Sequence, residues 1–114
     1  MVNKWDIYYC NLDPTVGSEQ KGKRPVLVIS SNAVNHHLPV STVLPLSSVN
    51  QKDKIYPTEV LLEKNITGLP KLSVAMVQQI RTVSHNRLRA PVGTITDVAI
   101  QEKILDACRN YFDL

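Results

Sequence analysis

From Asp6 to Ile95 the chain is a succession of short apolar, β-branched runs, each stopped by proline, glycine or a polar cluster. That cadence predicts roughly five to seven short strands closing into a small barrel. Asp6–Leu12 alternates well enough for a first strand, and Asp13-Pro14 stops it. A loop from about Asp13 to Arg24 follows, and then Pro25–Ile29, a continuous apolar run suited to a buried strand and too short for a typical helix. Ser30-Ser31-Asn32 ends that run. Val40–Leu46 reads as a third strand with Pro45 marking an edge or bulge, and Ser47–Lys54 as loop. Thr58–Leu62 is a fourth strand, Asn65–Pro70 a turn around Gly68, and Ser73–Val83 one or two more strands. A short Arg87–Ala90 segment precedes a last strand at Val92–Ile95.

Only the C-terminal segment has helical spacing. Thr96 is placed to cap it, Asp97 favours the positive end of the helix dipole, and Ile100, Ile104, Ala107 and Tyr111 form a stripe flanked by Leu105, Cys108 and Phe112. The stripe is expected to pack on the barrel. The fold class is therefore mainly β with a C-terminal helix, in one domain over 1–114. At 114 residues and 43% hydrophobic content the chain suffices for one core. No apolar run approaches the roughly 20 residues that span a bilayer, and the N-terminus lacks an apolar signal core, so no membrane partner and a cytoplasmic location are expected. Cys10 and Cys108 stand far apart and outside any C-x-x-C pattern, which predicts buried structural thiols. The net charge of +3 tilts toward a polyanionic partner.

Metal and phosphate signatures are missing: there is no H-E-x-x-H, Walker loop, G-x-G-x-x-G or G-x-S-x-G. His36 and His37 point to opposite faces of an extended chain and have no third ligand nearby; like His85, they read as solvated loop histidines, so no metal or cofactor is expected. One chemistry needs neither: attack of an RNA 2′-hydroxyl on its own phosphate. It requires a base, an acid and cationic donors around the phosphate, and Glu19, Lys23 and Arg24 supply those types in one loop. Arg24 also abuts a buried strand, which anchors its backbone, and its planar fork suits a phosphate.

Leu12-Asp13-Pro14-Thr15-Val16-Gly17-Ser18-Glu19-Gln20, followed by Gly22-Lys23-Arg24-Pro25-Val26-Leu27-Val28-Ile29, resembles the signature segment of the MazF/PemK/Kid toxins, the ribonuclease halves of bacterial toxin–antitoxin pairs. Asp6-Ile7-Tyr8, Tyr56-Pro57-Thr58-Glu59-Val60, Gln79-Ile80-Arg81-Thr82 with Arg87-Leu88, and Gly93-Thr94-Ile95-Thr96-Asp97 extend the match over nearly the whole chain. The resemblance implies a small SH3-like barrel of the CcdB/PemK kind and a symmetric homodimer. It also implies metal-independent, sequence-specific cleavage of single-stranded RNA to 2′,3′-cyclic phosphate and 5′-hydroxyl ends. A cognate antitoxin is the implied partner, with DNA reached only through it. By the same resemblance Arg24 is catalytic acid or phosphate stabiliser and Ser47 holds the scissile phosphate, with Glu19 the candidate base. Where some relatives carry an Arg and an Asp before Q-x-R-T, this chain has Met76 and Gln78, which shifts weight to Arg24, Ser47 and Glu19.

RNA contacts are expected from Gln20, Lys23, Gln79 and Arg81, with Tyr56 stacking an unpaired base. Gln79 and Arg81 share one strand face and equally suit a solvated ladder or a dimer contact. Trp5 reads as a barrel plug or dimer residue. Two other activities belong to this reading: a non-catalytic RNA-binding barrel, and the gyrase poisoning of same-fold relatives, whose Trp-Gly-Ile tail is replaced here by Tyr111-Phe112-Asp113-Leu114.

Overall fold

The computed structural model describes residues 1–114. Seven antiparallel strands form one curled sheet: β1 Asp6–Asn11, β2 Lys23–Val28, β3 Val40–Ser48, β4 Glu59–Leu62, β5 Ser73–Met76, β6 Arg81–Ser84 and β7 Leu88–Thr94. Two single-turn helices, α1 Asn32–Asn35 and α2 Lys64–Thr67, interrupt them, and α3 Val98–Phe112 closes the chain. The strand order is β4-β5-β3-β2-β1-β7, with β6 on β3 beside that path. This is the expected barrel with its C-terminal helix.

β3 organises the sheet because it has three partners. Val43 to Pro45 pair with β2, Val40 to Val43 with β6, and Leu46 to Ser48 with β5. Pro45 is therefore neither an edge nor a bulge, as its sequence suggests. It lies opposite Val26 inside the strand, where the β6 ladder has ended and that of β5 has not begun, so its missing N–H falls in the gap between the two. β5 and β6 are separated by a 3-10 turn at Val77–Gln79, which divides the expected Ser73–Val83 stretch in two.

Alternation sorts the strand residues into two clusters. Ile7, Leu27, Leu44, Leu46, Leu62, Ala75, Val77, Ile95 and the helix residues Ile104 and Ala107 belong to the larger one, against which Trp5 and Ile100 pack. Cys10, Leu12, Val26, Val28, Val43 and Val83 form the smaller. Trp5, half-buried, packs on that cluster at a positive φ of 77°, with its N–H donating to Val28 O and its carbonyl accepting from Ile95 N. Gly93 is required where β7 crosses α2: a Cβ there would stand 2.7 Å from Thr67 O. Both cysteines are free thiols; Cys10 is buried and Cys108 half-buried, and burial pushes both thiols up, against the lowering pull of Arg81, Arg87 and Arg89 on Cys10.

Helix α3 departs from its sequence reading at both ends. The cap is Asp97, whose carboxylate accepts from Ile100 N at 3.1 Å, and Thr96 lies outside the helix. Asp97→Ala should cost about 1 kcal/mol, read as a lower melting temperature. At the other end the buried stripe stops at Ala107 and Cys108: Tyr111 and Phe112 stand 42% and 51% exposed, edge to face with each other. No helix is long and apolar enough to cross a membrane.

Candidate active site

The β1–β2 loop is closed at its base by local bonds. Leu12 N donates to Gly22 O at 2.9 Å, and Gly22 N donates to the Asp13 carboxylate at 3.1 Å. Gly17 and Gly22 take positive φ values of 57° and 82°, which turn the chain out and back. Glu19 sits at the tip, and its carboxylate accepts from Val16 N, so the carboxylate caps its own turn.

Arg24 lies inside β2, opposite Cys10 of β1, one strand residue beyond Lys23. The sequence reading placed it just before the strand, but the ladder with β1 continues through Lys23 opposite Asn11. Its Nε donates to Lys21 O at 2.9 Å, and its terminal guanidinium nitrogens have no partner within the chain. The β2–β3 ladder ends at Val26 opposite Pro45, two residues short of Arg24 on one strand and of Ser47 on the other. Ser47 itself pairs with Val74 of β5 at the end of β3.

Arg24 borders a depression of about 360 Å³ shared with Tyr9, Lys21, Lys23, Ser48 and Lys71, and no carboxylate lines it. A second hollow of about 430 Å³, reached across Tyr9 and Lys23, adds Arg89. The two ion pairs of the chain both involve Arg109 on α3, so no cation of this hollow is in an ion pair, although Lys71 also borders an adjoining hollow with Asp53 and Glu63. Low neutralisation and a concave shape concentrate positive potential here.

The remaining residues singled out from the sequence fall elsewhere. Glu19, Gln20, Gln79 and Arg81 meet with Pro45 and Gln78 around a separate hollow of about 160 Å³. Gln79 holds the loop on both sides: its Oε1 accepts from Gln20 N at 3.1 Å and its Nε2 donates to Ser18 O at 3.0 Å. Gln20 Oε1 is buried without a partner. Arg81 Nη1 donates to Leu12 O at 2.9 Å. Tyr56 stands apart, 53% exposed, with the Lys54 ammonium 5.3 Å from its ring centre.

Met76 is buried, and Gln78 is bonded to Thr58 and Glu59. His36 bonds Asn3, and His37 bonds the Ala33 carbonyl on the turn after α1. His85 is not simply solvated, since its Nε2 lies 2.8 Å from the hydroxyl of buried Ser41. Ser48, Lys21, Lys71, Arg87 and Arg89 were missed by sequence reasoning. The serine that lines the hollow beside Arg24 is Ser48, whereas the expected Ser47 pairs with Val74 and does not line it.

A family model described as "PemK-like, MazF-like toxin of type II toxin-antitoxin system" matches residues 3–111. The chain is 37% identical over 102 residues to Endoribonuclease MazF of Staphylococcus saprophyticus, covering 90% of this chain and 84% of that one. It is 37% identical over 97 residues to Endoribonuclease EndoA of Bacillus subtilis, covering 85% and 83%. Among solved structures, an endoribonuclease from a Mycobacterial species in complex with its cognate antitoxin superposes with a TM-score of 0.80 at 23% identity, covering 100% of this chain and 97% of that one.

Proposed function

We propose a site and a chemistry for a chain that belongs to the PemK-like, MazF-like toxins of type II toxin–antitoxin systems and is an endoribonuclease. The 2′-hydroxyl of single-stranded RNA attacks the adjacent phosphorus, the P–O5′ bond breaks, and the products are a 2′,3′-cyclic phosphate and a 5′-hydroxyl. No metal enters a step. Arg24 stabilises the charge that grows on the phosphate and can deliver the proton that the departing 5′-oxygen needs. Ser47 donates its hydroxyl to the same phosphate, and Glu19 takes the proton of the 2′-hydroxyl on the carboxylate oxygen that Val16 N does not engage.

One observation carries this reading: the unpartnered end of a strand-anchored guanidinium beside a hollow that contains cations, Ser48 and no carboxylate. Lys23 extends that cationic surface toward the RNA backbone, and Tyr56 offers an exposed ring for an unpaired base. Gln20 Oε1, an acceptor without a partner in the chain, can accept from a base N–H. Gln79 and Arg81 already spend donors on the loop. The working unit is a homodimer of one toxin domain, held in check in the cytoplasm by an acidic, partly disordered antitoxin that covers the basic hollow and is its only link to DNA. The antitoxin bound to the mycobacterial endoribonuclease supports that partnership.

The pure protein should cut a single-stranded RNA at a short recurring sequence in EDTA, at the rate it shows without chelator. Mass spectrometry of the fragments should give cyclic phosphate termini. Loss of cutting in EDTA, or 3′-hydroxyl ends, would overturn the chemistry.

A further inference from the structure

The ladder of β1 with β7 ends at Cys10 and that with β2 at Asn11, so strand partners give out as the chain reaches Leu12 and Asp13. Two guanidinium groups take their place. Arg81 donates to Leu12 O, and Arg87 Nη1 donates to both Asn11 O and Asp13 O. Together with Gln79, which grips Ser18 and Gln20, one segment of nine residues holds the loop at its root and near its tip. That segment is itself fixed: Arg81 lies opposite Val43 of β3, the strand that ends at Ser47 and Ser48.

We propose that Gln79, Arg81 and Arg87 are positioning residues that set the β1–β2 loop, and with it Arg24, at a fixed distance from the end of β3. One terminal nitrogen of each guanidinium is engaged with backbone carbonyls, in charge-assisted bonds that a partly buried surface strengthens. This rests on the site reading above, since a loop needs such control only if Glu19 at its tip and Arg24 just beyond its base act on one phosphate. Reacting groups held a fraction of an ångström from their best placement lose most of their rate while substrate affinity changes little.

The test uses the full chain and a short single-stranded RNA that the wild type cuts. Arg81→Ala, Arg87→Ala and Gln79→Met should each lower kcat by about ten- to a hundredfold with KM within about threefold. Amide hydrogens of Val16 to Gly22 should exchange faster in each variant, and the slope of log affinity against log salt should stay as in the wild type. Arg87→Lys keeps the charge but loses the fork that reaches two carbonyls, so it should remain impaired. Gln79→Met and Arg87→Lys carry the test if an alanine variant fails to fold.

A fall in the salt slope of about 0.7 per arginine, with loop exchange unchanged, would make Arg81 and Arg87 phosphate contacts and overturn the clamp. Wild-type kcat in all four variants would overturn it as well. Arg24→Ala, measured alongside, separates the two failures: an active Arg24→Ala sinks the site, whereas an inactive one beside fully active clamp variants sinks only the clamp.

Discussion

Arg24→Ala is expected to lower kcat/KM by about a thousandfold, with the chain still folded and the melting temperature nearly unchanged. The size follows from where the guanidinium sits. Its backbone is held by β1 through the pair with Cys10, its Nε is tied to Lys21 O, and the remaining nitrogens have no protein partner to lose. Removing it takes away a fixed cationic donor that does not have to reorganise as charge builds on the phosphate. Arg24→Lys should recover a minor part, because a point charge replaces the planar fork. Cleavage of a fluorogenic RNA, read beside circular dichroism, decides the matter. A variant that cuts within about threefold of the wild-type rate would remove Arg24 from the site.

The largest expected loss of stability is at Ile7. This residue is fully buried, lies opposite Leu27 on one side and Gly93 on the other, and belongs to the cluster that joins β1, β2, β3, β4, β5 and α3. The backbone cannot close over a truncated side chain there, because β1 is paired on both edges. Ile7→Ala should therefore destabilise the fold by about 3 kcal/mol through lost transfer energy and an unfilled cavity. For a domain of this size that is a drop of about 10 °C in melting temperature. A drop smaller than about 3 °C would mean that the cavity collapses, with the irregular β1–β7 ladder next to Ile7 letting the backbone move.

The strands were legible because their signal is local. Runs such as Pro25–Ile29 and Thr58–Leu62 carry β-branched and apolar residues between strong breakers, and β2 and β4 lie there within two residues. α1 and α2 were not read, because four-residue helices have no period to detect; α2 shows itself only through Gly68, left-handed at 80°, which caps it. The exposure of Tyr111 and Phe112 was equally hidden, since spacing fixes which helix face they share with Ile104 but not where the barrel beneath them ends.

For the site, residue type and anchoring pointed to Arg24, and the structure places it with Lys23 at a hollow. What no spacing could show is that Glu19, Gln79 and Arg81 gather around a different hollow, or that Gln79 and Arg81 bond the loop backbone. Those relations cross about sixty residues of chain and depend on how β6 docks on β3. The activities left open by the sequence narrow to endoribonuclease, the activity named for relatives at 37% identity over most of the chain.

The central claim is that the RNA supplies its own nucleophile. Once the cut has been mapped, the most direct measurement compares two short RNAs identical except for a single 2′-deoxyribose on the 5′ side of the scissile phosphate. Cleavage of the all-ribose strand in EDTA, with no detectable cleavage of its deoxy counterpart bound with similar affinity, is the predicted result. Cutting of the deoxy strand at the same phosphate would contradict it, because the bond would then be broken by a nucleophile other than the 2′-hydroxyl.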